Sequence, residues 1–498
     1  MPLRKKRRPE RLRASTAFLL ALAFAALVFL PHVPLLTLPF YWDEAGMFVP
    51  AALDLYQFGQ WVPHSAVPGA HPPGVPAYLA AGWRITGYSI PATRVLMLAL
   101  ASAGLFIVFL LAIELCRGIE GVPAFSAVLL LGASPLFFAQ SMLAQLDMPA
   151  MVFTCLALLL YLKDRMFWSG VACLALVMAK ETGVILPILL GGALVAERRF
   201  RQGAYFALAP VALAAWMLFL GRSTGHVLGS SEFSSFNFDY LLHPVRAATA
   251  FGKRLYYLFG ADFHWIGAVG LIAAARRGNW REKPRVKLIA MFAGTHIVLM
   301  SLLGGAMLER YLLPVLPLVY IGMVAGLSSF PKPWAGIAQF AMIVAMVAGN
   351  FWNPPYPFPY ENNLAFTDFV DLHATAAEFV EQRYPMAAVA TAWPLSAALQ
   401  RPELGYVHQR LAVRKLQDFG RDLVLALDPS SIDIFILYSR DWEPSYSFMR
   451  IEPVRRFWSR FFGYRVSVGR AEIETHFGLK PVGSWARRGQ WIEVYARR

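Results

Sequence analysis

The chain has 498 residues, of which 57% are hydrophobic and only 15% are charged, and its mean hydropathy is +0.48. A soluble globular protein is about half apolar and about a quarter charged, so this composition excludes a soluble protein and indicates a membrane protein. The net charge of +15 does not indicate a nucleic-acid partner, because the basic residues lie at the N-terminus and in short gaps between apolar runs instead of in one patch.

The N-terminus predicts an uncleaved signal anchor. Residues 1–15, MPLRKKRRPERLRAS, are strongly basic, and the apolar run over about 18–38 is long enough to cross a bilayer. No cleavage site with small residues follows this run. The basic residues place the N-terminus in the cytoplasm. Asp43, which follows the span, is therefore expected on the outer side.

Further apolar stretches predict a polytopic α-helical membrane protein with about eleven spans. Several stretches are short for a bilayer, which leaves partly re-entrant helices open. Lys and Arg are concentrated in alternate loops, and this bias supports the count and places the C-terminal part of the chain outside. The stretches after the signal anchor lie near residues 92–115, 121–139, 148–163, 166–180, 182–197, 203–220, 262–275, 287–304, 311–328 and 334–350.

Three segments are predicted outside the bilayer on one side. The first outer loop, 38–91, has two stretches with apolar residues at helical spacing and several aromatic residues, which predict helices lying in the membrane interface. The segment 221–261 is rich in Ser, Gly and Asn, which predicts a flexible loop. The third segment is the tail that begins at about residue 350. We therefore divide the chain into a transmembrane domain, 1–350, and a periplasmic domain, 351–498.

The C-terminal domain is predicted to be a small soluble α/β domain. A proline-rich stretch leads into an amphipathic helix over 367–385, with Thr367 or Asp368 as its N-cap. The stretches MAAVATAW, DIFILYSR and WIEVYARR predict strands.

The most informative polar residues lie at the outer ends of separate predicted spans. Charged residues inside a span are costly and usually functional, and the middle of each predicted span is nearly free of them. Because the topology places the polar residues at one membrane surface, it favours a reaction there over a path through the bilayer. They include Asp43 and Glu44 after the first span, His71 in the first outer loop, and Asp147, Lys180 and Arg310 at later span ends.

Several motifs resemble those of the C-type (GT-C) membrane glycosyltransferases, which include protein O-mannosyltransferases and the aminoarabinose transferase that modifies lipid A. YWDEAGMF, at 41–48, resembles the acidic motif of the first outer loop in that family, and AHPPGVPAYLAAGWRITG is similar to a later segment of that loop. SPLFFAQSMLAQLDMPAMVF resembles the second-loop segment, while MAKETGVILP and ERYLLPVLPLVY resemble spans with a Lys and an Arg-Tyr pair. The resemblance covers roughly residues 15–350.

Members of this family take a sugar from a polyprenyl-phosphate carrier and place it on an acceptor, usually with inversion. The resemblance implies an inner (plasma) membrane glycosyltransferase with a polyprenyl-phosphate sugar donor, surrounding membrane lipids, and a lipid, polysaccharide or protein acceptor. It implies catalytic roles for Asp43, Glu44 and Asp147, with Asp43 as the base that takes the acceptor's proton. Lys180 and Arg310 suit the donor phosphate, since Arg contacts phosphate in a bidentate manner.

Each of these assignments has a structural alternative. Asp43 can be the N-cap of the following helix with Glu44 in its first turn, and Asp147 can cap the next span. His71, which we place at an acceptor or loop site, can equally satisfy a turn.

The two cations can be interfacial anchors. Lys180 and Arg310 would then be neutralised by their sequence neighbours, Glu181 and Glu309. No cofactor is firmly implied, but a divalent metal ion is left open. Its ligands could be the carboxylates of Asp43, Glu44 and Asp147 and the imidazole of His71.

Two other classes of function are left open. A transporter or lipid flippase is expected to have charged or helix-breaking residues near the middle of paired spans, whereas this chain has its acids at one surface. A membrane scaffold whose outer domain binds cell-wall polymer leaves the positions of Asp43, Asp147 and Arg310 unexplained.

Overall fold

The structure, a computed structural model, describes residues 13–117, 121–235, 243–277, 283–303, 307–352, 355–357, 360–440 and 447–497. Helices make up most of this part of the chain, and a small five-stranded sheet lies near the C-terminus. The chain is therefore mostly helical and apolar with a C-terminal α/β region, as the sequence predicts.

The apolar helices of the described residues fall into three groups. Five are long and apolar enough to cross a membrane, namely α1 (Ala14–His32), α4 (Ile90–Leu115), α10 (Phe200–Thr224), α14 (Pro284–Leu303) and α16 (Lys332–Phe351). Two bent pairs raise the number to seven if each pair is one span, namely α5 (Ala124–Ala133) with α6 (Pro135–Met142), and α12 (Pro244–Phe259) with α13 (His264–Arg277). The shorter apolar helices include α7 (Asp147–Leu162), α8 (Met166–Ala179), α9 (Ile185–Ala196) and α15 (Leu316–Leu327). The count of eleven crossings stays a prediction.

One predicted span is broken into two helices. The stretch predicted over 121–139 forms α5 and α6, whose axes differ by 67°. The break lies at Ser134 and Pro135, where Pro135 is the first residue of α6. Proline has no backbone N–H to continue the hydrogen bonds of α5, so the helix ends there and restarts in a new direction.

The first outer loop contains the two predicted helices, α2 (Val49–Phe58) and α3 (Gly74–Thr86). A π-helical turn, Glu44–Phe48, leads directly into α2. Just before that turn, Trp42 has a φ of +39°, in the left-handed region that a bulky residue rarely adopts. Such strained backbone persists only where the surrounding packing enforces it. The acidic motif therefore lies on a sharply bent, tightly held segment.

The prediction of a flexible loop over 221–261 is wrong. The described part of this segment contains α11 (Ser231–Ser234) and the 16-residue helix α12. The Ser, Gly and Asn residues lie mostly before α12, whose own apolar residues recur at helical spacing. Residues 236–242 lie outside the described residues.

The C-terminal region, by which we mean residues 360–497, builds a sheet with the strand order β2-β1-β3-β5-β4. The pairs β1–β2 and β1–β3 are parallel, and β3–β5 and β4–β5 are antiparallel. The strands are β1 (Ala388–Ala392), β2 (Ala412–Leu416), β3 (Ile434–Tyr438), β4 (Lys480–Arg487) and β5 (Gln490–Ala496). The helices are α17 (Ala365–Arg383), α18 (Leu395–Ala398), α19 (Arg421–Leu425), α20 (Glu452–Phe462) and α21 (Arg470–Phe477).

The three predicted strands are present as β1, β3 and β5, while β2 and β4 were missed. Both missed strands lie at the edges of the sheet and are largely exposed, so they lack a clear apolar pattern. The predicted N-cap of α17 is also wrong. The cap position is Leu364, the Thr367 hydroxyl donates to its carbonyl at 2.7 Å, and Asp368 pairs with Arg488.

The C-terminal region packs directly on the acidic motif of the first outer loop. The Phe40 N–H donates to the carbonyl of Leu404 at 3.3 Å, and the Tyr406 hydroxyl donates to the carbonyl of Phe40 at 2.9 Å. The indole of Trp393 occupies the space that a Cβ on Gly46 would need. A glycine is thus required where the two segments meet.

The helices α13 and α15 also approach closely through glycines. A Cβ added to Gly326 of α15 would overlap the backbone carbonyl of Gly270 in α13. Gly322 and Gly326 have the four-residue spacing that lets helix backbones pack tightly in membranes. This crossing therefore relies on the missing side chain.

We expect Gly326→Ala to destabilise the protein by about 1–3 kcal/mol, because the added methyl forces two backbones apart. The measurement is thermal unfolding of the purified protein in detergent. Gly336→Ala is the matched control, since a Cβ at this exposed position of α16 meets no atom within 4 Å. Equal melting temperatures for the two variants would contradict the close packing of α13 and α15.

Candidate active site

Five chain segments bring charged and polar side chains to one place. Asp43 precedes the π turn, Asp147 is the first residue of α7, and Lys180 follows the last residue of α8. Arg310 lies in a 3₁₀ turn, Glu309–Leu312, and Glu361 lies between α16 and α17. With Gln145, these residues form what we call the Arg310 cluster.

The guanidinium of Arg310 is the centre of this cluster. Its Nη2 pairs with Oδ2 of Asp43, and its Nε lies 3.2 Å from Oδ2 of Asp147. Its Nη1 pairs with Oε2 of Glu361 at 2.9 Å and donates to Oε1 of Gln145 at 2.6 Å. Arg310 is 5% exposed, so one buried cation is shared by three carboxylates.

Asp147 connects Arg310 to the second cation. Its Oδ1 pairs with Nζ of Lys180, which also lies 4.1 Å from the centroid of the Tyr311 ring. The cluster thus has three carboxylates and two cations, a net charge of −1 when every group is ionised. A buried cluster with excess negative charge favours protonation of one of its acids.

Glu361 is the acid of the cluster whose pKa is raised. Burial raises the pKa of Glu361 to about 7, Arg310 opposes the rise, and the negative charge of Asp43 adds to it. Oε1 of Glu361 is buried and has no hydrogen-bond partner in the described part of the chain. The carboxyl therefore titrates near neutral pH, and it keeps one oxygen unused beside Arg310.

Glu44 faces away from this cluster. Its side chain is fully buried, and its Oε1 pairs with Nη1 of Arg94 and accepts the Ala144 N–H at 2.5 Å. Its Oε2 accepts the Tyr41 N–H at 2.9 Å. Arg94 also donates to the backbone carbonyls of Leu38, Pro39 and Met142. The Glu44–Arg94 pair thus fastens the first outer loop to α4.

His71 borders the cluster instead of joining it. Its Nδ1 lies 2.8 Å from Oε2 of Glu181, the residue after Lys180. The imidazole also lies at the edge of an apolar cleft between the first outer loop and α10. The cleft is lined by Met47, Phe48, Trp61, Leu146, Trp216 and Leu220, among others.

The geometry decides between several of the structural alternatives. Asp43 does occupy the cap position of the π turn with Glu44 in its first turn, but the Asp43 carboxylate makes no capping hydrogen bond. The cap position of α7 is Leu146 instead of Asp147. Lys180 and Arg310 are buried and paired with these two acids, which is unlike the extended reach of an interfacial anchor.

The sequence neighbours of the two cations do not neutralise them. Glu181 pairs with His71, and Glu309 pairs with Nζ of Lys253 at 2.9 Å. Among the described residues, the acids that pair with Lys180 and Arg310 are all distant from them in sequence.

The suggested metal ligands do not converge. The described residues contain no group of three or more His, Cys, Asp or Glu side chains that is placed to hold a metal ion. Asp43 and Asp147 already pair with cations, Glu44 faces Arg94, and His71 pairs with an acid elsewhere. These residues therefore do not fit a metal site in this arrangement.

Sequence reasoning missed Glu361 and Arg94. Glu361 is the acid in a proline-rich stretch, NPPYPFPYENN, which gives no sign of burial. Arg94 had a usable signal, because it is a charged residue within a predicted span and such residues usually have a buried partner.

No protein-family model matches the sequence, and no curated protein matches it. Among solved structures, apo ArnT from Cupriavidus metallidurans is similar at 15% identity and a TM-score of 0.55, with 97% of this chain and 98% of that chain covered. ArnT bound to undecaprenyl phosphate matches over the same shares at 14% identity and a TM-score of 0.53.

A second solved protein has the same architecture. The oligosaccharyltransferase AglB from Archaeoglobus fulgidus, in complex with an inhibitory peptide and a dolichol-phosphate, matches at 11% identity and a TM-score of 0.51. The match covers 85% of this chain and 69% of that chain. Identities this low establish the fold alone. The fold is that of the family whose motifs the first outer loop resembles. The chain has the fold of the GT-C membrane glycosyltransferases.

Proposed function

We propose that the protein is a glycosyltransferase that moves a sugar from a polyprenyl-phosphate-linked donor to an acceptor. The observation that supports this most directly is the Arg310 cluster, where Asp43, whose side chain is 16% exposed, pairs with the buried Arg310, and Asp147 joins Arg310 to the buried Lys180. The fold supports the same class, since one similar structure contains undecaprenyl phosphate and another contains a dolichol-phosphate. We place the reaction at the outer face of the inner membrane, with the N-terminus cytoplasmic and residues 351–498 periplasmic.

The donor would bind with its phosphate at the two cations. Lys180 and Arg310 supply positive charge at a buried site, where charge-assisted hydrogen bonds to phosphate are strong. Leu146, next to Asp147 in sequence, is one of the residues that line the apolar cleft, which suits part of the polyprenyl chain. His71 at the edge of the cleft would contact the sugar or the acceptor.

The transfer step uses Asp43 as a general base. The acceptor hydroxyl loses its proton to the Asp43 carboxylate as its oxygen forms a bond to the anomeric carbon of the sugar. The bond between that carbon and the phosphate oxygen breaks, and the polyprenyl phosphate leaves with the electron pair. Attack opposite the leaving group inverts the anomeric centre. The two cations stabilise the charge that grows on the leaving phosphate.

The other acids would act by holding these groups in place. Asp147 bridges Lys180 and Arg310, so it sets the distance between the two cations. Glu44 does not face the cluster, and its bond to Arg94 instead fixes the backbone that carries Asp43. Glu44 and Asp147 are therefore positioning residues in this proposal.

Glu361 would control access to Arg310. In its ionised form it occupies Nη1 of Arg310 and leaves the cluster with excess negative charge, which opposes an incoming phosphate. Protonation of Glu361 removes that excess. Donor binding is therefore expected to be linked to proton uptake by Glu361.

No step in this proposal passes through a metal ion. One solved structure of the archaeal oligosaccharyltransferase contains Zn. Here the two acids nearest to the proposed chemistry, Asp43 and Asp147, are neutralised by Arg310 and Lys180. The cations take the part that a metal would play toward the phosphate.

The proposal is tested by supplying the purified protein with a radiolabelled sugar on polyprenyl phosphate, together with lipid, polysaccharide and protein acceptors. Release of the sugar to one acceptor supports glycosyl transfer. Movement of intact donor across a proteoliposome membrane without cleavage would instead support the flippase alternative.

We expect Asp43→Asn to lower turnover by about a hundredfold or more, because the amide cannot accept the acceptor's proton. The amide oxygen can still accept a hydrogen bond from Arg310, so the melting temperature should stay near that of the wild type. Asp371→Asn is the control, since Asp371 is an exposed acid that pairs with Arg487 in the C-terminal region. Normal turnover in Asp43→Asn would exclude this residue as the base.

Lys180→Met should weaken donor use. Loss of one charge-assisted contact costs about 1.5–3 kcal/mol, which corresponds to about a 10–150-fold loss of donor efficiency. Asp147 keeps Arg310 as a partner in this variant, so the fold should survive. Lys253→Met is the matched control, because Lys253 pairs with Glu309 beside the cluster. If both variants use the donor equally well, Lys180 does not contact the phosphate.

Glu361→Gln should remove a pH dependence of donor binding. In the wild type, whose Glu361 has a pKa of about 7, the KM for the donor should be about tenfold lower near pH 6 than near pH 8, because the protonated form binds the anion. Glutamine is uncharged at both pH values, so the variant should show a low and nearly constant KM. Glu309→Gln should keep the wild-type profile. A wild-type profile in Glu361→Gln would separate Glu361 from donor binding.

A further inference from the structure

The helix α20, Glu452–Phe462, differs from the other long helices of the C-terminal region. The helices α17 and α21 bury apolar residues, for example Phe369 and Ile473. No residue of α20 is buried, although the helix contains four aromatic side chains. These are Phe457, Trp458, Phe461 and Phe462. The helix therefore presents an aromatic surface that the described part of the chain does not fully cover.

The residues of α20 are sharply divided between two faces. At 100° per residue, the four aromatic residues fall within one arc, together with Val454. The opposite arc holds Glu452, Ser459 and three arginines, Arg455, Arg456 and Arg460. Aromatic residues on one face and arginines on the other are typical of helices that lie at a membrane interface.

The charge of the polar face is positive. Glu452 pairs with Arg455 and with Arg456, the latter at 2.8 Å. Arg460 makes no ion pair with any described residue, and its guanidinium lies 5.3 Å from the Phe461 ring. With three arginines and one glutamate, the helix has a net charge of +2.

Contacts with α12 connect α20 to the apolar helices. The Nε of Arg246 donates to the carbonyl of Phe461, and the rings of His243 and Phe461 are 4.9 Å apart. Both contacts lie at the N-terminal end of α12, which forms a bent apolar pair with α13. Two further aromatic residues of α12, Phe251 and Tyr256, are 38% and 67% exposed. Exposed aromatic surface is thus shared between α20 and a helix that leads into a candidate span.

We propose that α20 lies in the headgroup layer of an anionic lipid bilayer and holds the C-terminal region against the membrane. The aromatic face would enter the boundary between headgroups and acyl chains, where aromatic rings are favoured. The arginines would pair with lipid phosphates. The positive charge beside the aromatic face favours an anionic lipid surface over a second copy of this chain, whose own α20 would bring a like charge.

The test places a fluorescent label on single added cysteines in the full chain in nanodiscs that contain phosphatidylglycerol. The described chain has three cysteines, all buried, so an added surface cysteine can be labelled selectively. Phe457→Cys reports on the aromatic face, and Ser459→Cys on the opposite face is the matched control. Lipids that carry a spin label just below the headgroup should quench the label at 457 at least about threefold more than the label at 459.

Equal quenching at the two positions, or none at 457, would overturn the proposal. An interface with a protein partner or a second copy would shield the label at 457 from the spin-labelled lipid, and so would also overturn it.

The part played by charge is tested separately. Changing Arg455, Arg456 and Arg460 together to Gln should abolish the difference in quenching at 457 between phosphatidylglycerol and zwitterionic nanodiscs, since each basic residue contributes about fivefold to binding at an anionic surface. The control changes three exposed arginines elsewhere in the C-terminal region, Arg421, Arg470 and Arg487, and should keep the difference. Loss of the difference in the control alone would assign the lipid surface to another part of the region.

Discussion

The arrangement of this protein depends on one buried guanidinium that three carboxylates share. Arg310 without its acids would be an unpaired buried charge, and the acids without Arg310 would repel one another in a poorly solvated site. Removing one partner from a buried ion pair typically costs about 3–5 kcal/mol. The start of α7, the 3₁₀ turn at Arg310 and the segment after α16 must therefore take up their positions together.

A second buried pair explains why two adjacent acids differ in role. Asp43 and Glu44 are neighbours, but the bend at Trp42 and the π turn send their side chains to different partners. Glu44 meets Arg94 and the backbone of its own loop, while Asp43 meets Arg310. Asp43 is thus held at a fixed position by a neighbour whose side chain is fully buried. The close fit of Gly46 and Trp393 holds the same segment from the other side.

Much of the helical architecture could be predicted, because the length of an apolar stretch is a local property of the sequence. The same reasoning places Asp43, Asp147, Lys180 and Arg310 at the ends of separate helices, and the structure brings these four together. The pairing itself could not be predicted. Sequence neighbours such as Glu309 are the expected partners of the cations. The structure instead pairs the cations with acids from other segments, because side chains that are adjacent at a helix end point in different directions.

The missed features have a common physical cause. Glu361 is buried because its loop packs against α6 and the Arg310 turn. A proline-rich stretch has no sequence pattern that predicts this packing. The exposed edge strands β2 and β4 were missed because solvent-exposed side chains need not be apolar, so these strands lack the alternating pattern that predicts a strand. Local patterns therefore identify which polar residues lie at the ends of helices but not which of them meet.

The separation of the cluster along the chain also sets the order in which it can assemble during synthesis. Arg94 follows Glu44 by 50 residues, whereas Arg310 follows Asp43 by 267. At about 5–20 residues per second, the loop is fastened within roughly 3–10 s, but Asp43 waits roughly 15–50 s for its cation. Glu361 and Tyr406 emerge later still. The loop can therefore be held by Glu44 and Arg94 early in synthesis, whereas the Arg310 cluster can close only after Glu361 has been synthesised.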